Sequence, residues 1–144
     1  MPTFSFLYSP FTVTRFFMDT EKKKFYLQVE PSDKIHFTKE PESGQIKATL
    51  TIMNKSDTRQ AYKVKCTRND LFKIRPSVGL LDYKQNAIIE IVCLLKDGEE
   101  MEPDRHHFGI YHIPAPEGCT CEGAWQEHYG PPQGELRVKV VFDP

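Results

Sequence analysis

The sequence has no excess of charge of either sign. Its 144 residues carry 19 lysines and arginines against 20 aspartates and glutamates, a formal net charge of -1. Because nucleic acids and strongly anionic membranes are bound through an excess of basic side chains, neither is expected as the main partner. The charge balance is therefore compatible with a protein or peptide as the main partner.

The sequence also lacks an uninterrupted apolar segment long enough to cross a membrane. The first 20 residues are apolar and aromatic, but Pro2, Pro10 and Arg15 interrupt them, and no basic start or small-residue cleavage site marks a secretory signal. We expect residues 1–24 to be a poorly ordered N-terminal extension, with a partner-docking or membrane-surface arm as the alternative. No C-terminal membrane anchor is expected.

A disulfide framework is not indicated, because an even count of four cysteines is not sufficient evidence for one in a chain of 144 residues. Cys66 and Cys93 lie in strand-like alternation and are expected to be buried free thiols, whereas Cys119 and Cys121 lie in a segment rich in glycine and proline. Without a secretory signal, this pattern predicts a reducing, cytoplasmic location.

Motifs for catalysis are missing as well. Gly118 and Gly123 stand alone without a following Lys-Ser/Thr pair, so no phosphate-binding loop is present, and no strained nucleophile turn can be identified. We therefore predict that the protein is not an enzyme and has no catalytic residues and no cofactor.

Histidines and cysteines crowd between residues 106 and 128, and the Cys119–His128 insert is kept as an alternative metal or thiol site. The Cys-x-Cys spacing is shorter than the usual zinc-finger pair. His106 and His107 are neighbours on a predicted strand and should face opposite sides. No metal ligand is therefore assigned.

Short segments with alternating apolar and polar residues make up most of the chain after residue 24. The clearest is 45–54, and the most apolar, 86–95, is expected to lie in the middle of a sheet. No amphipathic helix is expected, and the insert from Pro114 to Gly134 is predicted to be a loop. The pattern predicts an all-β, immunoglobulin-like sandwich of seven to eight strands. The predicted strands are 25–30, 35–37, 45–54, 59–67, 71–74, 86–95, 105–113 and 135–142.

The central stretch of the chain runs from Tyr62 to Asp82. Pro76 and Gly79 are expected to fix a tight corner in it. Lys63 and Lys65 share the polar face of one strand, and Lys73 and Arg75 would extend them into a positive strip. Such a strip beside a strand is suited to an acidic peptide, although a solvated face is the simpler interpretation.

Residues 25–144 resemble the major sperm protein (MSP) domain of nematode sperm proteins and of the VAMP-associated membrane-contact adaptors. The resemblance rests on KVKCT at 63–67 and FKIRPSVGLLD at 72–82, with VEP at 29–31, NKSD at 54–57, DR at 104–105 and FDP at 142–144. It implies an immunoglobulin-like sandwich without a metal that acts by protein–protein contact, and it defines an MSP domain over residues 25–144.

The resemblance also implies a peptide groove. In the adaptors a K-x-K-T-T strand helps to bind acidic peptides with two phenylalanines. Lys63, Lys65 and Thr67 match this motif, and Cys66 replaces a threonine.

The second groove motif, H-K-F-M, is only partly present. His106 and Phe108 match it, whereas His107 stands in place of the lysine and Gly109 in place of the methionine. A further lysine is replaced by Glu135. The peptide- or partner-binding residues implied by the resemblance are Lys63, Lys65, Cys66, Thr67, His107 and Phe108.

The leading functional interpretation is self-association into a dimer or filament, with a cytoskeletal role in nematode sperm or germline. The WQEHYG segment at Trp125 and the terminal FDP resemble segments of the small sperm proteins, and an open sandwich leaves sheet edges free for pairing. The alternative is a soluble adaptor for acidic diphenylalanine peptides. The metal or thiol site at Cys119–His128 is the second alternative.

Overall fold

The computed structural model describes residues 25–96, 99 and 105–143. The expected N-terminal extension, 1–24, and most of the connection between the predicted strands 86–95 and 105–113 lie outside these residues. The described chain forms nine strands and one helix. They are β1 (Leu27–Glu30), β2 (Lys34–Lys39), β3 (Ile46–Asn54), β4 (Gln60–Cys66), β5 (Phe72–Arg75), β6 (Val78–Leu81), β7 (Asn86–Cys93), β8 (His107–Pro114), α1 (Cys121–Glu127) and β9 (Gly134–Asp143).

The strands form two half-sheets that curl around one core. The first half-sheet consists of β1, β3, β7 and β5, and the second consists of β9, β8, β4 and β6. β2 joins them, because residues 34–38 run parallel to β9 while Thr38 and Lys39 pair with β3 in the antiparallel sense. The predicted immunoglobulin-like sandwich is confirmed, and β7 lies between β3 and β5, in the middle of its half-sheet as expected.

The core forms because alternate side chains of every long strand point inward. In β3 this face contains Ala48, Leu50 and Ile52, all buried. Across the sandwich, the rings of Phe72 and Phe108 pack edge to face with centroids 5.0 Å apart. The apolar residues of the alternating pattern therefore form the core, as the pattern predicts.

Strand β6, which is not among the eight predicted strands, replaces the expected corner at Gly79. Gly79 is not in a turn but inside β6, where it pairs with Tyr62 of β4. A Cβ atom at Gly79 would lie 2.6 Å from the Tyr62 ring. The glycine is therefore required by close packing of a buried tyrosine, and the change of direction takes place at Pro76 and Ser77, between β5 and β6.

The helix α1 corrects the expectation that the insert is a loop. Thr120 caps the helix, and its hydroxyl accepts a hydrogen bond of 2.9 Å from the backbone N–H of Gly123. Ala124 packs against Ala61 and Ile113 in a small second apolar cluster. The helix therefore covers part of the outer face of the second half-sheet.

Two buried polar side chains, His112 and Gln60, pair with each other at one end of the sandwich. His112 Nε2 accepts a hydrogen bond of 3.1 Å from the Tyr26 backbone N–H, so its Nδ1 carries the proton that it donates to Gln60 Oε1 at 2.9 Å. The Phe25 ring packs edge to face on the same imidazole, with centroids 5.0 Å apart. His112 therefore fixes the start of the described chain against β8 and β4.

Candidate functional site

Lys63 and Lys65 lie on the outer face of the second half-sheet. Their neighbours Tyr62 and Val64 are buried in the core, so strand alternation points the two lysines outward. Lys65 is exposed and Lys63 is half-buried. The sequence-based assignment of both lysines to one polar face agrees with this geometry.

Neighbouring strands bring two more cations to the same face. Arg137 of β9 is opposite Gly109 of β8, which is itself opposite Lys65. Lys139 is opposite His107 in the next outward-facing pair. Because strands lie about 4.8 Å apart, these side chains share one surface. We call this surface the basic face, and it consists of Lys63, Lys65, His107, Tyr111, Arg137 and Lys139.

One carboxylate lies among these cations. Glu135 Oε2 is 4.0 Å from Arg137 Nε. Within the described residues, no carboxylate lies within ion-pair distance of Lys63, Lys65 or Lys139. The basic face therefore holds three cations without a carboxylate partner in the described part of the chain, a surplus that favours an acidic ligand.

Aromatic rings support two of the lysines. Lys63 Nζ lies 4.5 Å from the centroid of the Trp125 ring, and Lys65 Nζ lies 5.6 Å from that of Tyr111. Both distances are within the range of cation–π attraction. The amphipathic rings place apolar surface directly beside positive charge, as a ligand with both aromatic and acidic residues requires.

Gly109 is what allows Tyr111 to lie in this position. A Cβ atom at Gly109 would come within 2.7 Å of the Tyr111 hydroxyl. The tyrosine ring therefore lies over the backbone of β8, at the position where the resemblance implies a methionine side chain. The loss of that side chain leaves a flat aromatic surface instead of an empty groove.

Phe108 and Cys66, two of the residues implied by the resemblance, face inward. Phe108 is 0% exposed and packs on Phe37 and Phe72, so it supports β8 from within and offers no ring to a ligand. Cys66 is opposite Phe108 and packs at the margin of the core, where burial raises the pKa of its thiol.

Thr67 lies just after β4, beside the basic face, and His107 is part of that face. Thr67 Oγ1 lies 3.0 Å from Nδ1 of His106, a buried histidine. His107 is half-buried and belongs to the outer face, so the two neighbouring histidines point to opposite sides as expected. The hydrogen bond of Thr67 fixes the end of β4 against β8.

The predicted positive strip does not extend to Lys73 and Arg75. Both residues are on β5, which pairs with β7 in the first half-sheet. The expectation was wrong because these residues follow β4 in sequence but not in space. The basic face extends instead across β8 to Arg137 and Lys139, and only the pairing of β8 with β9, which a single sequence does not give, could have revealed those two residues.

Cys121, His112 and His128 each have a hydrogen-bond partner of their own. Burial raises the pKa of the Cys121 thiol, and its Sγ donates a hydrogen bond of 3.3 Å to the Gly79 carbonyl. His112 points into the core, while His128 Nε2 lies 2.7 Å from the Pro131 carbonyl oxygen. In the described ranges no group of three or more histidine, cysteine or acidic residues could hold a metal ion.

The chain is similar to known proteins in sequence over most of its length. The family model of the MSP (major sperm protein) domain matches residues 26–127. An uncharacterized protein of Caenorhabditis elegans is 37% identical over 101 residues, covering 66% of this chain and 54% of its own length. Human vesicle-associated membrane protein-associated protein A is 24% identical over 123 residues, covering 85% of this chain and 49% of its own length. The chain thus spans about half the length of these two relatives.

The fold is also found in a solved structure. WR4, an MSP family member of Caenorhabditis elegans, superimposes with a TM-score of 0.65 at 24% identity, covering 83% of this chain and all of that one. At this identity the likeness concerns the fold alone. In the part of the chain that the structure describes, no helix is long and apolar enough to cross a membrane.

Proposed function

The chain belongs to the MSP domain family, and from that premise we propose that it binds an acidic, aromatic peptide segment of a partner protein on the basic face. The family is a non-enzymatic protein-interaction fold whose members bind proteins and peptides. The observation that carries the proposal is the surplus of cations beside two aromatic rings on the outer face of β4, β8 and β9.

Recognition on this face combines charge with apolar contact. Lys65, Arg137 and Lys139 attract carboxylates and increase the association rate, while Tyr111 and Trp125 offer ring surface to aromatic side chains. Compared with a complete groove, this surface has Gly109 for a methionine and Glu135 for a lysine. His107 also stands where a lysine is expected, so the surface has two fewer cations and one added acid, and we expect it to bind an acidic peptide more weakly than a complete groove does.

The proposal is tested with a fluorescent peptide that carries two adjacent phenylalanines within an aspartate- and glutamate-rich sequence. We expect its anisotropy to titrate with the full chain, and the affinity to fall as salt is added, because the contributing charges are exposed. Lys65→Glu should weaken binding about tenfold or more, since it removes a cation and adds an acid.

The matched control is Lys73→Glu, the same charge change at an exposed residue of β5 in the other half-sheet. Equal losses in the two variants would show a general effect of net charge and would contradict a specific site. A peptide with the phenylalanines replaced by alanine tests the contribution of the rings.

A second candidate is self-association, with a cytoskeletal role in the cytoplasm of nematode sperm or germline. It is favoured by exposed apolar residues on the outer face of the first half-sheet: Ile88 is 66% exposed and Leu94 is 47% exposed. Light scattering coupled to gel filtration over a wide concentration range tests it. A dimer or larger species that Ile88→Glu dissociates supports this function, and a strict monomer excludes it.

A further inference from the structure

The chain contains a segment with the composition that the basic face is suited to bind. Residues 16–21 read FFMDTE, in which Phe16 and Phe17 are followed by two acidic residues, Asp19 and Glu21. This segment carries two negative charges and two adjacent rings. We propose that residues 16–21 occupy the basic face of the same chain and compete there with an external partner. This inference rests on the proposed function above.

The position of the first described residues supports binding within one chain. Phe25 and Tyr26 are fixed on His112, and His112 is the neighbour of Tyr111 along β8. The described chain therefore begins on the inner side of β8, behind the aromatic end of the basic face.

The length of the connection is sufficient. Phe17 precedes Phe25 by eight residues, which span up to about 26 Å when extended. The path from Phe25 to the basic face runs around the end of the second half-sheet. Its length is little more than the roughly 10 Å that separates packed sheets, plus the length of a few residues along β4. A tether this short gives a local concentration in the millimolar range, so a weak contact is enough to occupy the site.

The intervening charges are also compatible with this path. Lys22, Lys23 and Lys24 separate the acidic segment from Phe25. The helix α1 packs on β4, β6 and β8 at this end of the second half-sheet, and it carries Glu122 and Glu127, both exposed. On this path the three lysines would lie near the acidic side chains of α1, and residues 16–21 would lie near the cations of the basic face.

The test measures the accessibility of the lysines in the full chain. Amine-reactive labelling, read by mass spectrometry, gives the modification rate of Lys65 in the unmodified sequence and in the double variant Phe16→Ala/Phe17→Ala. We expect the rate at Lys65 to rise several-fold in the variant and the rate at Lys73, on β5, to stay the same.

A matched control comes from residues that precede this segment in the chain. Phe4→Ala/Phe6→Ala removes two rings outside the acidic tract and should leave the labelling of Lys65 unchanged. Equal labelling of Lys65 in all three proteins would overturn the inference. Protection that grows with protein concentration would show that the occupant comes from a second copy, which overturns occupation within one chain.

A second measurement separates this inference from the proposed function. A fluorescent peptide with the sequence of residues 14–21 is titrated into the full chain and into Phe16→Ala/Phe17→Ala. Tighter binding to the variant supports competition by the chain's own segment. Equal binding to both overturns the inference and leaves the proposed function standing, and no binding to either overturns both.

Discussion

Two glycines in this protein cannot be replaced without moving a neighbouring tyrosine ring, and the cost in stability depends on how deeply that ring is buried. Gly79 faces the Tyr62 ring, which is 2% exposed, whereas Gly109 faces the half-buried Tyr111. Gly79→Ala should lower the free energy of unfolding by about 2–3 kcal/mol, because the buried ring has no free volume to move into. Gly109→Ala should cost less than about 1 kcal/mol, because Tyr111 can turn outward.

Urea unfolding of the two variants measures both values. The displacement of Tyr111 in Gly109→Ala also takes the ring away from Lys65, so peptide affinity should fall while stability changes little. Equal destabilisation by the two substitutions would contradict the packing explanation.

His112 couples stability to pH. Burial lowers its pKa from 6.5 to about 4. Between these pH values the unfolded chain binds more protons than the folded chain, so stability is fully present above pH 6.5 and is lost as the pH falls towards 4. Each pH unit between the two pKa values corresponds to about 1.4 kcal/mol, so the contribution lost between pH 6.5 and 4 is on the order of 3 kcal/mol. Protonation also breaks the hydrogen bond that Nε2 accepts from the Tyr26 N–H.

The measurement is urea unfolding at several pH values from 7 to 4. In His112→Gln, which keeps a donor and an acceptor at this site, the difference in stability between pH 7 and pH 4 should be smaller than in the unmodified chain. Parallel pH profiles for the two proteins would show that another group is responsible.

At the scale of elements, the long strands could be predicted from the sequence and the shortest elements could not. β3, β7 and β9 were found because eight or more residues give a clear alternation, and burial of alternate side chains is what the pattern reports. β6 was mistaken for a corner because Pro76 and Gly79 are typical of turns. α1 was missed because seven residues make only two turns, too few to show a helical period.

The stability of α1 should depend on its cap. Thr120→Ala removes the acceptor of the Gly123 N–H and should cost about 1 kcal/mol. Trp125, the only tryptophan of the chain, lies on this helix beside Lys63. Its emission should shift to longer wavelength as the helix frays, while Thr120→Ser, which keeps a capping hydroxyl, should leave the emission unchanged. An unchanged emission in Thr120→Ala would show that packing of Ala124 alone holds the helix.

At the scale of the whole molecule, the candidate surfaces lie on opposite outer faces of the sandwich. The basic face belongs to β4, β8 and β9, and the exposed Ile88 belongs to β7 of the other half-sheet. The sequence places Lys63 and Lys65 on one face of a strand, but the contribution of Arg137 and Lys139 depends on pairing between strands remote in the chain. Local alternation therefore predicts which residues point outward, and only tertiary pairing determines which of them meet.

This separation gives a prediction for the molecule as a whole. Substitutions on surfaces that share no contacts act additively, because neither alters the packing of the other. Lys65→Glu should weaken peptide binding and leave the mass in solution unchanged, whereas Ile88→Glu should reduce any self-association and leave peptide affinity unchanged. The double variant should show both effects with the magnitudes of the single variants. If Ile88→Glu weakened peptide binding as strongly as Lys65→Glu, the two faces would act through a shared assembly, and the peptide site would have to include a second copy of the chain.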